Sequence, residues 1–167
     1  VAFDIDYRPY SWNSKEETAI YYNILAEKSD VIIGTREEFN KIEYLLMPEN
    51  DDDYVTAQKW IDNNAKIVVI KHGEEGSIAY TNDGEKYVGG IYPAEVANTF
   101  GAGDSYAAAF LYSLMNGYSL DECLKFGSAA AAIVISKHTC SEAMPTVDEL
   151  NDYVNSHSIK VMSDQNE

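Results

Sequence analysis

Cysteine and proline are scarce in this chain, with two of the first and four of the second among 167 residues. Cys123 and Cys140 are too few for a disulfide framework and lack metal-ligand spacing, so a reducing, cytoplasmic setting is the expectation. Long apolar runs are also missing, and no segment reads as a membrane span or a signal peptide. Positive charge is the third shortage. Twelve Lys and Arg stand against 28 Asp and Glu, giving a formal net charge of −16 and a pI near 4.4. Such a surface repels phosphate backbones and anionic lipid, so no nucleic acid and no membrane is expected as a partner. An anionic ligand would need local compensation from helix N-termini, a few cations or a metal.

What is present is a hydrophobic fraction of 46%, enough for one compact domain with a real core. That domain is expected over 1–157, followed by a polar tail, 158–167, that frays. The chain opens inside an apolar run, Val1 to Ile5, as a piece of a longer protein would. Further β-branched runs predict strands at Val31 to Gly34, Ile67 to Lys71, Ser77 to Tyr80 and Lys86 to Ile91. The last two flank Asn82-Asp83-Gly84, a hairpin turn signal. Helical periods predict helices at about 15–28, 36–46, 53–64, 104–116, 120–137 and 147–156. Alternation of strand and helix makes an α/β layer structure, and the hairpin makes its sheet mixed and mostly parallel.

Four helix starts carry a hydroxyl residue followed three places later by Glu: Ser14 with Glu17, Thr35 with Glu38, Ser119 with Glu122, and Thr146 with Glu149. This is the spacing of a capping box, in which each side chain satisfies the other residue's backbone N–H. Gly117 reads as a C-cap, and Met47 to Asp53 as an acidic, solvated connector.

The segment richest in chemistry is Asn98 to Phe110, NTFGAGDSYAAAF. Gly101, Ala102 and Gly103 are small residues just before a helix, where the backbone can approach a ligand and first-turn N–H groups point at an anion. Asp104 stands at the helix start beside that anion site. A tight turn with Asp104 as a plain cap would use the same residues. A carboxylate next to an anion hole gains a purpose when a hydroxyl must lose its proton while attacking a phosphoryl group.

This segment resembles the C-terminal signature of the ribokinase (PfkB) family, D-T-x-G-A-G-D. The resemblance implies the C-terminal part of a three-layer α/β/α ribokinase-like fold and a carbohydrate kinase that uses ATP and Mg²⁺. It implies that Gly101, Ala102, Gly103 and the Asp104 backbone form the anion hole, with Asp104 as base on the sugar hydroxyl. Asn98 replaces the signature's first Asp, in a region that helps relatives hold a monovalent cation, which puts cation activation in doubt. Three more segments follow in family order. VIIGTREEF resembles the N-x-x-E segment, with Glu38 where a Glu organises Mg²⁺ through water and Thr35 where Asn is usual. IVVIKHGEEGS resembles the strand and glycine turn along the ATP phosphates, with Lys71, Gly73 and Gly76. Ser128 to Met144 resembles the adenine-pocket helix and loop, which places Ser128 and Cys140 at the base. FDIDYRPYSW (Phe3 to Trp12) resembles a segment of the family's keto-deoxy sugar-acid kinases, with Arg8 suited to a carboxylate and a salt bridge to Asp4 or Asp6 as its structural alternative. Family kinases of other sugars, or a non-catalytic nucleotide-binding module, are the competing assignments. The family's main sugar-binding residues lie in its N-terminal half, so these residues alone are expected to turn over little and to self-associate as a homo-oligomer.

Overall fold

The computed structural model describes residues 1–161. Five strands form one sheet in the order β1 (Ala2–Asp4), β2 (Val31–Thr35), β3 (Ile67–Lys71), β4 (Ser77–Thr81) and β5 (Lys86–Gly89). β1, β2 and β3 run parallel, with Phe3 opposite Ile32 and Ile32 opposite Val68. Val31 to Gly34 are all buried, as the continuous apolar run of a central parallel strand requires. β4 and β5 close the expected hairpin, where Thr81 N donates to the Glu85 carbonyl at 3.1 Å. The mixed α/β sheet of the sequence reading is therefore present.

The helices are α1 (Lys15–Ala26), α2 (Arg36–Glu43), α3 (Asp53–Asp62), α4 (Ala102–Met115), α5 (Leu120–Ile135) and α6 (Val147–Ser156). None is long and apolar enough among the described residues to cross a membrane. Reciprocal capping boxes form at Thr35, Ser119 and Thr146. The fourth is half made. Ser14 accepts from Glu17 N, but the Glu17 carboxylate accepts from Asn13 N at 2.8 Å instead of closing on Ser14. Asp52 caps α3 by accepting from Tyr54 N and Val55 N, so the acidic connector ends in a working helix cap.

The chain divides into two compact units, Val1–Gly73 with Ile78–Lys86, and Glu74–Ser77 with the residues from Tyr87 onward. The first unit packs Ile5, Tyr22, Phe39, Ile42, Trp60, Val68, Ile70 and Tyr80 into one core. Each large side chain removed from water there contributes roughly 1.5–3 kcal/mol. In the second unit, α4 lies against α5. Gly127 makes room for the Tyr106 ring, since a Cβ there would stand 3.0 Å from it, and Tyr106 OH shares a 2.7 Å hydrogen bond with Ser77 Oγ. β5 ends at Gly89, short of the expected Ile91, because Ile91 pairs instead with Lys160 in an isolated antiparallel bridge. Of the expected polar tail, Lys160 is thus tied by backbone bonds of 2.7 and 2.8 Å, and 162–167 lie outside the described residues.

Candidate active site

The residues that could carry chemistry fall in both units, and each group is built within its own. In the second unit, Ala97 N and Asn98 N donate to the Ile135 carbonyl at the end of α5. Asn98 then uses both ends of its side chain. Oδ1 accepts from Phe100 N at 2.6 Å, and Nδ2 donates to the Lys137 carbonyl at 3.0 Å. This Asx turn fixes the approach to Gly101. Gly101 has φ 81° and is the N-cap of α4, a left-handed backbone that glycine enters without a Cβ penalty. A Cβ there would also lie 2.5 Å from Cys140 Sγ, so conformation and space both require glycine.

α4 begins at Ala102, two residues before the sequence expectation, and has no side-chain cap. Asp104 is therefore the third residue of the helix and makes no capping hydrogen bond, which removes the plain-cap role. Its side chain is exposed, and among the described residues nothing engages the carboxylate. Ala102 N reaches only the Thr99 carbonyl at 3.4 Å, while the Gly103 and Asp104 amides take no backbone acceptor among the described residues. Ser105 Oγ steadies the turn by donating to the Ala102 carbonyl at 3.0 Å. The result is a helix N-terminus with donors to spare and an unpartnered carboxylate alongside. Cys140 is partly buried against Gly101. Ser128 is buried in α5, and His138 is exposed.

In the first unit, Glu38 does more than complete a capping box. Oε2 accepts from Thr35 N at 2.8 Å, and Oε1 accepts from Tyr7 N at 2.9 Å, binding the loop after β1 to the first turn of α2. Arg8 lies in that loop and pairs with Asp6 at 2.6 Å, both half exposed. The structural alternative for Arg8 is thus realised with Asp6, in a contact open enough to exchange. Lys71, at the end of β3, is turned to Asp4 at 3.7 Å and is only 12% exposed. Gly73 (φ 60°) follows in the same unit; in the second unit Gly76 has φ 94°, and a Cβ on it would run into the Gly89 carbonyl.

Both Glu38 oxygens already accept one N–H and keep one lone pair each. No group of three or more His, Cys, Asp or Glu could hold a metal among the described residues. This donor set fits a divalent cation carried by phosphates and reached from Glu38 through water. At Asn98 it offers a neutral amide and no charged ligand, with Oδ1 accepting from Phe100 N and Nδ2 donating to the Lys137 carbonyl.

The profile of the pfkB family carbohydrate kinases matches residues 1–147. The chain belongs to this family. It is 62% identical over 154 residues to the 5-dehydro-2-deoxygluconokinase of Geobacillus thermodenitrificans, a match covering 92% of this chain and 45% of that protein. The chain thus spans about half the length of the curated relatives it matches. The fructokinase of Xylella fastidiosa with bound ATP superposes with a TM-score of 0.82 at 20% identity, over 93% of this chain and 51% of the other. An Escherichia coli structure named ribokinase II, in complex with ATP and Mg²⁺, gives 0.79 at 21% identity, over 93% and 48%. These likenesses show the ribokinase-like α/β fold.

Of the residues singled out from the sequence, Gly101, Ala102, Gly103, Asp104 and Cys140 come together at one helix start. Glu38 and the Arg8 loop come together through Tyr7. Asp4 and the clamp made by Asn98 were missed. Asn98 had a signal, an Asx residue two places before Phe100, whereas Asp4 meets Lys71 only through the pairing of β1, β2 and β3.

Proposed function

We propose that this chain supplies the nucleotide-binding and catalytic half of an ATP-dependent kinase acting on a primary hydroxyl of a sugar acid. The proposed substrate is 5-dehydro-2-deoxygluconate, in inositol breakdown. The observation that carries the proposal is the uncapped start of α4 behind Gly101, with the Asp104 carboxylate free beside it. The name of the relative at 62% identity supports the substrate.

In the proposed reaction the substrate hydroxyl attacks the γ-phosphorus of ATP in line. The bond to the β,γ-bridging oxygen breaks, and ADP leaves with its electron pair. Asp104 takes the hydroxyl proton. The transition state is loose, so positioning and charge stabilisation outweigh covalent help. The Gly101 to Asp104 turn directs amide donors at the transferring oxygens. Arg8 exchanges Asp6 for the substrate carboxylate, which its planar fork fits. Mg²⁺, when bound with the nucleotide, neutralises phosphate charge, and Glu38 orients its water shell. Lys71, Gly73 and Gly76 belong to the phosphate side of the nucleotide, and Ser128 and Cys140 to the base side. A cytoplasmic location and self-association complete the proposal.

The test is ADP release by the full-length kinase with 5-dehydro-2-deoxygluconate, 2-keto-3-deoxygluconate and fructose. The expected result is the highest kcat/KM for the first. A higher value for fructose overturns the substrate, and no turnover on any of them overturns the kinase.

A further inference from the structure

The mechanism above leaves unused a polar network buried in the first unit. Glu43, the last residue of α2, is 1% exposed. Arg36, the first residue of the same helix, donates to Glu43 Oε2 at 2.6 Å, to Thr56 Oγ1 at 2.7 Å, to Asn40 Oδ1 at 3.0 Å and to Asp53 Oδ1 at 3.4 Å. Thr56 donates its own hydroxyl to Glu43 Oε1 and accepts from Asn50 Nδ2 at 2.9 Å as well as from Arg36. Its one donor and two lone pairs are then all used. Asp53 Oδ2 shares a 2.6 Å hydrogen bond with His72 Nε2. The path runs from the Glu43 carboxylate to the Arg36 guanidinium, the Asp53 carboxylate and the His72 imidazole.

The two ends of the path are the informative part. Arg36 adjoins Thr35 and sits two residues before Glu38, in the first turn of α2. His72 lies between Lys71 and Gly73. Aliphatic side chains of similar volume would hold α2, α3 and β3 together at least as firmly, because buried ion pairs lose much of their Coulomb energy to desolvation. What a saturated polar network adds is one permitted geometry, since a shifted helix would leave buried donors and acceptors unpaired.

We propose that Arg36, Glu43, Asp53 and His72 are positioning residues that hold the Glu38 turn in register with the Lys71–Gly73 end of β3. The proposal rests on the assignment of those two segments to Mg²⁺ and ATP. Its test is the Mg·ATP dependence of the full-length kinase carrying Glu43→Gln. The expected result is a KM for Mg·ATP raised about ten-fold, a coupling of the size contacting residues show, with kcat changed less than about two-fold. His72→Ala gives the same split, while His72→Gln, which keeps a donor near Asp53, restores the parent KM. Added to Glu38→Gln, Glu43→Gln brings no further loss. Should Glu43→Gln not fold, Asp53→Asn reads the same split from a less buried link. A lower melting temperature with unchanged Mg·ATP dependence overturns the proposal. If Glu38→Gln also leaves that dependence unchanged, the metal assignment falls with it; if Glu38→Gln alters it and Glu43→Gln does not, only the positioning role falls.

Discussion

Gly101 and Cys140 meet where the turn proposed to face the phosphates touches the loop proposed for the base. The left-handed backbone of Gly101 costs any other residue about 1–2 kcal/mol, and the sulfur beside it adds a packing conflict. Gly101→Ala should therefore lower the melting temperature and weaken ATP binding together. Adding Cys140→Ala removes the sulfur and should recover the packing share but not the backbone share, which a double-mutant cycle by thermal denaturation separates. Full recovery would mean that the backbone angle carries no cost. The other thiol behaves differently. Cys123 is fully buried, and burial pushes its thiol up to about 11, so little reactive thiolate exists at pH 8. Iodoacetamide should label Cys140 and spare Cys123, and ATP·Mg should slow the labelling of Cys140. Equal labelling of both would contradict this placement, as mass spectrometry of the digest would reveal.

At the scale of elements, the network at the start of α2 has a defined pH signature. Burial alone would raise the Asp53 carboxyl, but the hydrogen bond and charge of His72, with the charge of Arg36, hold it below its ordinary value. A depressed carboxylate adds stability that is present above the ordinary Asp value near 3.8 and is lost as pH falls through the lower folded value. Glu43 has the opposite sign. Burial raises it, so its charge carries a penalty that sets in as pH rises through that raised value. Urea denaturation of the parent and of Asp53→Asn should differ most near neutrality and converge on acidification toward pH 3. A difference that grows in acid would contradict the assignment. The elements themselves were largely legible from the sequence, because period, caps and turn residues agree along most of the chain. β3 and α6 match their expected bounds. The misses have physical causes. α4 starts early because Gly101 takes the N-cap through its backbone, which leaves no side-chain signal. The Ser14 box stays open because Asn13 competes for Glu17. Arg36 and Glu43 stand seven positions apart on one helix and meet directly, framed by Thr56 and Asn50 from the next segment, a tertiary arrangement that spacing does not reveal.

For the whole molecule, two features bear on behaviour in solution. The net charge of −16 opposes close approach of copies, yet α1 exposes Ile20, Tyr21, Ile24 and Leu25 along one face, each about half exposed. Apolar surface of that kind favours association. Residues 1–167 expressed alone should form dimers or larger species by light scattering at high concentration, with higher salt promoting them by screening the charge. A clean monomer under both conditions would contradict this. The same protein should bind ATP·Mg weakly by calorimetry and release little ADP with the sugar acid, since the curated relatives are about twice its length. The central claim is that the carboxylate in the first turn of α4 is the base of a phosphoryl transfer. Asp104→Asn keeps size and shape and removes the proton acceptor. The measurement is kcat of the full-length kinase carrying this change, at saturating ATP and 5-dehydro-2-deoxygluconate. The account predicts a fall of roughly 10²- to 10⁴-fold, with KM for ATP nearly unchanged; a kcat close to that of the parent would contradict it.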